Sequence, residues 1–325
     1  MDIYNMTHVA DLDGISSAAM LVGTYGMPVS NVYFADYTEE RLRYNLLRIK
    51  KDAPSESIFV LSDLSMGNAQ GKPFFELLEY LKGRNNKIIW LDHHAWEKET
   101  IDVAAKFCDL MVVGENARNC AAELVHRILC NGSKKYSDLA SIAHISDFKL
   151  YELVGGAKVE KMAKGISGIV NEKSIRKTDY LLRKVVVALS KLDCFPEVLA
   201  VSYKQYMKEA KERLGKLAAN VFVVRYKEMS VGIGFGAGLN SNEACDYMLN
   251  EKKCDLSIFV NMSKYTVHLR RSGNVDCTKL SRYFGGGGHP YASGFSISKK
   301  AFGRFTERRM ADFVETIEKA LAEVY

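Results

Sequence analysis

Over the first 150 residues, short apolar runs alternate with longer stretches of helical spacing, a pattern that few folds can accommodate. The runs at 3–8, 29–35, 57–61, 87–91 and 109–113 have the length and composition of buried strands. Between them, 16–25, 39–51, 73–82 and 120–130 read as helices. The last places Ala121, Leu124, Val125, Ile128 and Leu129 on one helical face, and a further helix is expected over 137–144. Strands that alternate with helices predict βαβ units: an α/β domain built on a parallel sheet with helices on both faces.

The chain has 325 residues, more than a single hydrophobic core usually serves, so a second domain is expected. The texture changes accordingly. Residues 180–190 and 196–219 read as helices, the second long, charged and poor in core residues. After them come V-F-V-V-R-Y and the glycine-rich V-G-I-G-F-G-A-G-L, which reads as strand and turn. A helix over 242–251 follows, then two strand-like runs split by Ser263 and Lys264, and a closing helix near 300–325. This second part reads as a smaller α+β domain. The expected division is an α/β domain at 1–180, a helical connector at 181–220 and a smaller α+β domain at 221–325.

Composition narrows the class further. No apolar run approaches the roughly 18 residues of a membrane helix, and M-D-I-Y-N-M-T-H lacks the pattern of a signal peptide. A soluble, cytoplasmic protein with no membrane partner is expected. The seven cysteines, at 108, 120, 130, 194, 245, 254 and 277, form no C-x-x-C pair, which argues against zinc ribbons and thioredoxin-like chemistry and fits reduced thiols. Residues 1–150 hold sixteen basic against twenty acidic side chains, whereas the remainder holds 29 against 19. The basic part suits a polyanion.

In the acidic part, chemistry gathers where the strands end. T-H-V-A-D-L-D-G after the first strand supplies His8, Asp11 and Asp13; L-S-D-L-S after the third supplies Asp63. The fourth ends in Asp92, His93 and His94, and I-S-D-F after the 140–145 helical stretch supplies Asp147. In a parallel sheet these strand ends share one edge, where open α/β folds bind ligands. Several carboxylates in one cleft repel one another unless protons or cations intervene. Carboxylates with imidazoles and no thiolate suit Mn²⁺, Mg²⁺ or Fe²⁺. A shared carboxylate with ligands on either side describes a metal pair about 3.5–4 Å apart, the arrangement of in-line displacement at phosphorus.

H-x-x-D-x-D-G, the isolated Asp63, D-H-H and the later Asp147 resemble the four motifs of the DHH phosphoesterase superfamily. The stretch L-R-R-S-G-N-V-D-C-T-K-L-S-R-Y-F-G-G-G-G-H-P-Y-A-S-G-F resembles the associated DHHA1 domain, with its Arg and its G-G-G-H signature. The chain departs from the family pattern in two places: His8 and Asp11 are spaced H-x-x-D, and I-S-D-F-K stands where many bacterial relatives carry T-D-T-G. The resemblance implies that His8 and Asp11 hold one metal, that Asp13, His93 and Asp147 hold the other, and that Asp63 bridges them. It implies a catalytic pair in which Asp92 ligates or orients while His94 faces the scissile phosphate. It also implies that Arg270, with Gly286, Gly287, Gly288 and His289, grips the terminal nucleotide; Arg271 stands where the family carries Ser. Two divalent ions, Mn²⁺ first and Mg²⁺ as the alternative, would be the cofactors.

The function so implied is metal-dependent hydrolysis of short single-stranded oligoribonucleotides or dinucleotides to mononucleotides, as in the nanoRNase-like branch. The alternatives are hydrolysis of 3′-phosphoadenosine 5′-phosphate or of cyclic or linear diadenylate, a RecJ-like single-strand exonuclease, and a non-catalytic nucleotide-binding protein. A homodimer is compatible with all of them.

Overall fold

The computed structural model describes residues 1–52, 54–66, 71–114, 118–172, 174–193, 195–299 and 306–325. They form two compact units, Met1–Tyr206 and Met207–Tyr325. Cys194 and the start of the helix expected near 300–325 lie outside the described residues.

The first unit is built on β1 (Ile3–His8), β2 (Val32–Ala35), β3 (Ile58–Ser62), β4 (Lys87–Asp92) and β5 (Leu110–Val113). They pair in the order β2-β1-β3-β4-β5, every pair parallel. The interleaved helices are α1 (Leu12–Tyr25), α2 (Glu39–Asp52), α3 (Gly71–Lys82), α4 (Lys98–Ala104), α5 (Ala121–Ile128), α6 (Ser137–Asp147), α7 (Gly156–Val170) and α8 (Ile175–Ser190). Because β2 and β3 flank β1, the first two crossovers leave β1 in opposite senses. The crevice between β1 and β3 is therefore a topological switch point, the usual ligand position in such sheets.

Burial follows from the sequence pattern. One face of the sheet carries Val32, Phe34, Val60 and Leu91 against Ile15 and Ala19 of α1, Leu182, Val185 and Val186 of α8 and Val125 of α5. The other carries Met6, Tyr33, Phe59, Leu61 and Trp90 against Leu46 and Ile49 of α2 and Leu77, Leu78 and Leu81 of α3. Each such side chain contributes about 1.5–3 kcal/mol of burial. α8 is also pinned to α2, where Arg41 and, at 3.1 Å, Arg48 donate to the buried Asp179.

In the second unit, β6 (Val221–Tyr226), β7 (Met229–Gly236), β8 (Leu256–Asn261), β9 (Thr266–Arg271), β10 (Gly287–His289) and β11 (Ala292–Ser296) form one sheet in the order β10-β11-β9-β8-β7-β6. Only β7 and β8, joined through α10 (Ser241–Asn250), run parallel. α11 (Cys277–Tyr283) and α12 (Glu307–Val324) cover one face with Leu280, Phe313 and Ile317, while Ala244, Cys245 and Met248 of α10 cover part of the other. The boundary between the units falls within α9 (Glu197–Ala218).

The glycine-rich run is a strand and the 263–264 turn joins antiparallel β8 and β9, both as expected. Three expectations shift. Residues 29–31 form a 3₁₀ turn, so β2 begins at Val32. α1 begins at Leu12 because the Asp11 side chain caps it by accepting the Gly14 N–H. α6 continues to Asp147.

Candidate active site

The ends of β1, β3 and β4, the start of α1 and the end of α6 deliver polar groups to one rim. His8 closes β1, Asp11 caps α1, and Asp13 lies in the first turn of α1. Asp63 follows β3 in the left-handed region, at φ 56°, which an Asp tolerates better than most residues. Its own N–H donates to Leu91 O at 3.0 Å, locking that turn against β4. Asp92 is the last residue of β4, with His93 and His94 behind it, and Asp147 is the last residue of α6. Gly14 permits the tight entry into α1: a Cβ there would lie 2.3 Å from His8 O.

The donors fall into overlapping groups. His8, Asp11 and Asp63 place one ligand atom each within 4.8 Å of one another, and so do Asp13, His93 and Asp147, and Asp63, His93 and His94. His93 Nε2 stands 3.7 Å from Asp13 Oδ2, 3.7 Å from Asp63 Oδ1 and 3.7 Å from Asp147 Oδ2. His8 Nδ1 lies 2.8 Å from Asp11 Oδ2 and 3.6 Å from Asp63 Oδ2. The 3.7 Å spacings are too long for hydrogen bonds. They suit donors arranged about a common cation at about 2.1 Å, which sit roughly 3–4 Å apart.

The electrostatics point the same way. Burial raises the Asp63 carboxyl well above the usual carboxylate range, and the charges of Asp11, Asp13 and Asp92 push in the same direction. Asp13 is pushed up to about 7, by burial first and by Asp11 second, although Ala121 and Ala122 N–H groups donate to it at 2.7 and 2.6 Å. Burial also raises Asp147 and lowers His93. Burial would raise Asp11 too, but the ion pair with His8 holds it below its usual value. Among the described residues, Asp63 Oδ2 and both ring nitrogens of His93 are buried without a hydrogen-bond partner. Such groups are costly unless something pairs with them, and divalent cations held among these oxygens and nitrogens would both pair them and relieve the carboxylate repulsion. The residues present therefore fit a metal pair.

Asp92 stands apart from these groups. It is fully buried, and its two oxygens face His94 Nδ1 at 2.8 Å and Trp96 Nε1 at 2.6 Å. The hydrogen bond to Asp92 raises the His94 pKa and fixes its ring, while that ring stays part-exposed at the rim. Four neighbours of the site carried no motif signal. Trp96 holds Asp92, Tyr37 places its ring 5.4 Å from that of His8, and Glu123 on α5 accepts from His144 Nδ1 on α6 at 2.9 Å. Their contacts arise only once the chain is folded.

The sequence-predicted residues of the second unit occupy a different kind of surface. His289 pairs with Ala292, and Ala292 with Arg270, so the three stand in one row across β10, β11 and β9 and share a face. Gly287, Gly294 and His268 form the adjacent row on that face. Two strand spacings, about 9.5 Å, separate Arg270 from His289, and only a methyl group lies between them. Gly287 faces open space. Arg270 is steadied by hydrogen bonds to Asn242 Oδ1 and Leu269 O, both at 2.8 Å, and Arg271 turns instead to Val275 O. Gly286 and Gly288 flank the bare position, while the exposed Tyr291 stacks on His289 with rings 5.3 Å apart. His268 and Tyr291 are the members of this face that motif reading did not select. Of two further tyrosines in this unit, Tyr247 packs against the core beneath α10 and Tyr283 stands 47% exposed.

Comparison with known proteins agrees with this architecture. Residues 2–148 match the family model of the DHH family N-terminal domain, and residues 235–323 match that of the DHHA1 domain. The chain has no significant match among curated proteins. Among solved structures, it resembles the DHH domain of a member of the s1p family of ribosomal proteins at 14% identity and a TM-score of 0.65, covering 98% of this chain and 87% of that one. It resembles RecJ from Thermus thermophilus, solved with Mn²⁺, at 16% identity and a TM-score of 0.57, over 97% of this chain but 52% of RecJ. It also resembles a pGpG-specific phosphodiesterase from Vibrio cholerae at 14% identity and a TM-score of 0.51, over 98% and 99% of the two chains. At these identities the likeness is one of fold. The chain carries a DHH family N-terminal domain followed by a DHHA1 domain.

Proposed function

We propose that this protein is a phosphodiesterase that hydrolyses short oligoribonucleotides or dinucleotides to mononucleotides at a metal pair. The observation that carries the reading is the set of buried donors around Asp63 and His93, orphaned yet spaced for cations. His8 and Asp11 would hold one ion and Asp13, His93 and Asp147 the other, with Asp63 available to both. The oxygen-and-imidazole set favours Mn²⁺, with Mg²⁺ as the alternative. The ions would supply Lewis acidity toward a phosphoryl oxygen and acidify a water, bringing its pKa toward about 7.

The chain's own groups do the rest. Asp92 holds the ring of His94 through Nδ1, and the raised pKa favours the imidazolium. Nε2–H is then free to donate to a non-bridging phosphoryl oxygen as its charge grows. Trp96 keeps Asp92 from rotating away. In the DHHA1 domain, Arg270 takes a phosphate and His289 the neighbouring ribose or phosphate, while the glycine positions leave room for the ligand to lie against the backbone. We assign the chemistry to 1–180 and the substrate grip to 221–325, with 181–220 connecting them. The resemblance in fold to a pGpG-specific phosphodiesterase supports a nucleotide substrate.

The test is product release from 5′-labelled RNA and DNA of about two, five and twenty-four residues, cyclic and linear diadenylate, and 3′-phosphoadenosine 5′-phosphate, each with Mn²⁺ and with EDTA. Fast cleavage of the short RNAs, abolished by EDTA, supports the reading. Preference for the longest strand moves the protein to exonuclease chemistry. A chain that binds no metal overturns the mechanism.

A further inference from the structure

We infer that His144 is a positioning residue for one of the two metals: with Glu123 it clamps α5, whose first turn grips Asp13, to α6, which carries Asp147. This rests on the metal-pair reading above. The motifs do not include either residue.

The clamp is built on a single carboxylate oxygen. Glu123 Oε2 accepts the Cys120 N–H at 2.8 Å and faces His144 Nδ1 at 2.9 Å. Cys120 is the N-cap of α5, and the next two N–H groups, of Ala121 and Ala122, are the ones that hold both oxygens of Asp13. The placement of the first turn of α5 therefore sets the direction of the Asp13 carboxylate. His144 lies one turn before Asp147 on α6, and its ring packs 4.5 Å from that of Phe148, which in turn stands 6.5 Å from the ring of His93. One hydrogen-bonded link thus ties the start of the helix that grips Asp13 to the end of the helix that bears Asp147. Those two carboxylates must both stand 3.7 Å from His93 Nε2.

An ordinary capping box explains Glu123 but does not require His144. What His144 adds is the link between α5 and α6. His8 and Asp11 belong to β1 and the N-terminal cap of α1, away from this link, so the clamp acts on one metal position and not on the other. Groups that orient ligands in this way typically change metal affinity by about ten- to a hundredfold.

The experiment is a Mn²⁺ titration of the metal-free full-length chain, followed by calorimetry and by the electron paramagnetic resonance of free Mn²⁺. Three proteins are compared: wild type, His144→Phe and His144→Asn. Asn presents an N–H near the place of Nδ1, so it keeps the bond to Glu123; Phe keeps the ring and removes the donor. The expected result is two sites in wild type, one of them weakened about ten- to a hundredfold in His144→Phe with the other unchanged, and both near wild type in His144→Asn. Equal weakening of both sites, or none, in His144→Phe would overturn the inference while leaving the metal pair standing. If His144→Phe does not fold, as judged by circular dichroism, the Asn variant decides: loss of one site despite the retained donor overturns the clamp. A wild-type chain that takes up no Mn²⁺ overturns the proposed function, and the clamp with it.

Discussion

The rim of the first unit is made of charges that water barely reaches, whereas the face of the second is made largely of missing side chains. Asp13, Asp63 and Asp92 are at most 1% exposed, while Gly287, Gly288 and His289 are exposed throughout. The first arrangement is strained by its own like charges and calls for a counter-ion before it can rest. The second carries no such conflict; it offers a flat backbone between Arg270 and His289. On the proposed reading, one region carries the chemistry, at a cost in stability, and the other the contact, at little cost. Substitutions should therefore separate the two: at the rim they should alter turnover and metal-free stability in opposite directions, and at the glycine face they should alter substrate affinity.

The largest effect is expected from Asp63→Asn. Asn tolerates the left-handed backbone at that position and removes the buried charge. Hydrolysis should fall by more than about a hundredfold, beyond the loss usual for an outer-shell group, while the melting temperature of the metal-free protein rises. A fall in both would mean that Asp63 is structural. Mn²⁺ should then stabilise the wild type: at a hundredfold excess over its dissociation constant each site contributes about 2.7 kcal/mol. Thermal melts with and without EDTA check this, and Asp63→Asn should lose most of the difference.

Trp96→Phe should lower kcat by about tenfold with KM little changed, because Asp92 loses one of its two partners. On the other side of the comparison, Arg270→Gln and Gly287→Val should raise KM for a dinucleotide by about tenfold, the loss of one charge-assisted contact, and leave Mn²⁺ binding untouched. A change in kcat with constant KM would break the division of labour.

The smallest expected effect is in pH. In the metal-free protein the Asp13 carboxyl is raised from 3.8 to about 7. A raised folded-state pKa means that the folded state holds the proton that the unfolded state gives up. The associated stability is present below about 3.8 and is lost as pH rises to about 7. Melts in EDTA should therefore decline across that window more steeply than melts in Mn²⁺, whose ligands must be deprotonated to bind. A window of equal slope in both would count against the buried-charge account of the rim.

Much of the first unit can be read from the chain because its strands are short apolar runs and its site residues sit directly at their ends. The apolar run 88–91 announces β4, and Asp92, His93 and His94 follow without a gap. Helix α7 is harder to read because Gly156, Gly165 and Gly168 dilute its pattern. Two of those glycines admit close passage of α9: a Cβ would lie 2.8 Å from Leu199 O at Gly165 and 2.7 Å from Ser202 O at Gly168. α4 spans only seven residues, too short for periodicity to declare itself. At the site, the motif residues are recognisable by type and spacing. Trp96, Glu123, His144 and His268 are not, since their roles depend on partners that only the folded register supplies. The β10–β11 hairpin escapes for a related reason: glycine has low strand preference, and Gly287 is held in the ladder by its pairing with Gly294.

The chain contains two tryptophans, and both lie beside the rim. Trp90 donates to Leu64 O, next to Asp63, and Trp96 donates to Asp92, with the two indoles edge to face at 4.8 Å. All tryptophan emission from this protein therefore originates within a few residues of the proposed ligands. Its colour and lifetime form an unlabelled optical record of what enters the site, and the DHHA1 domain, which has no tryptophan, is dark in that record.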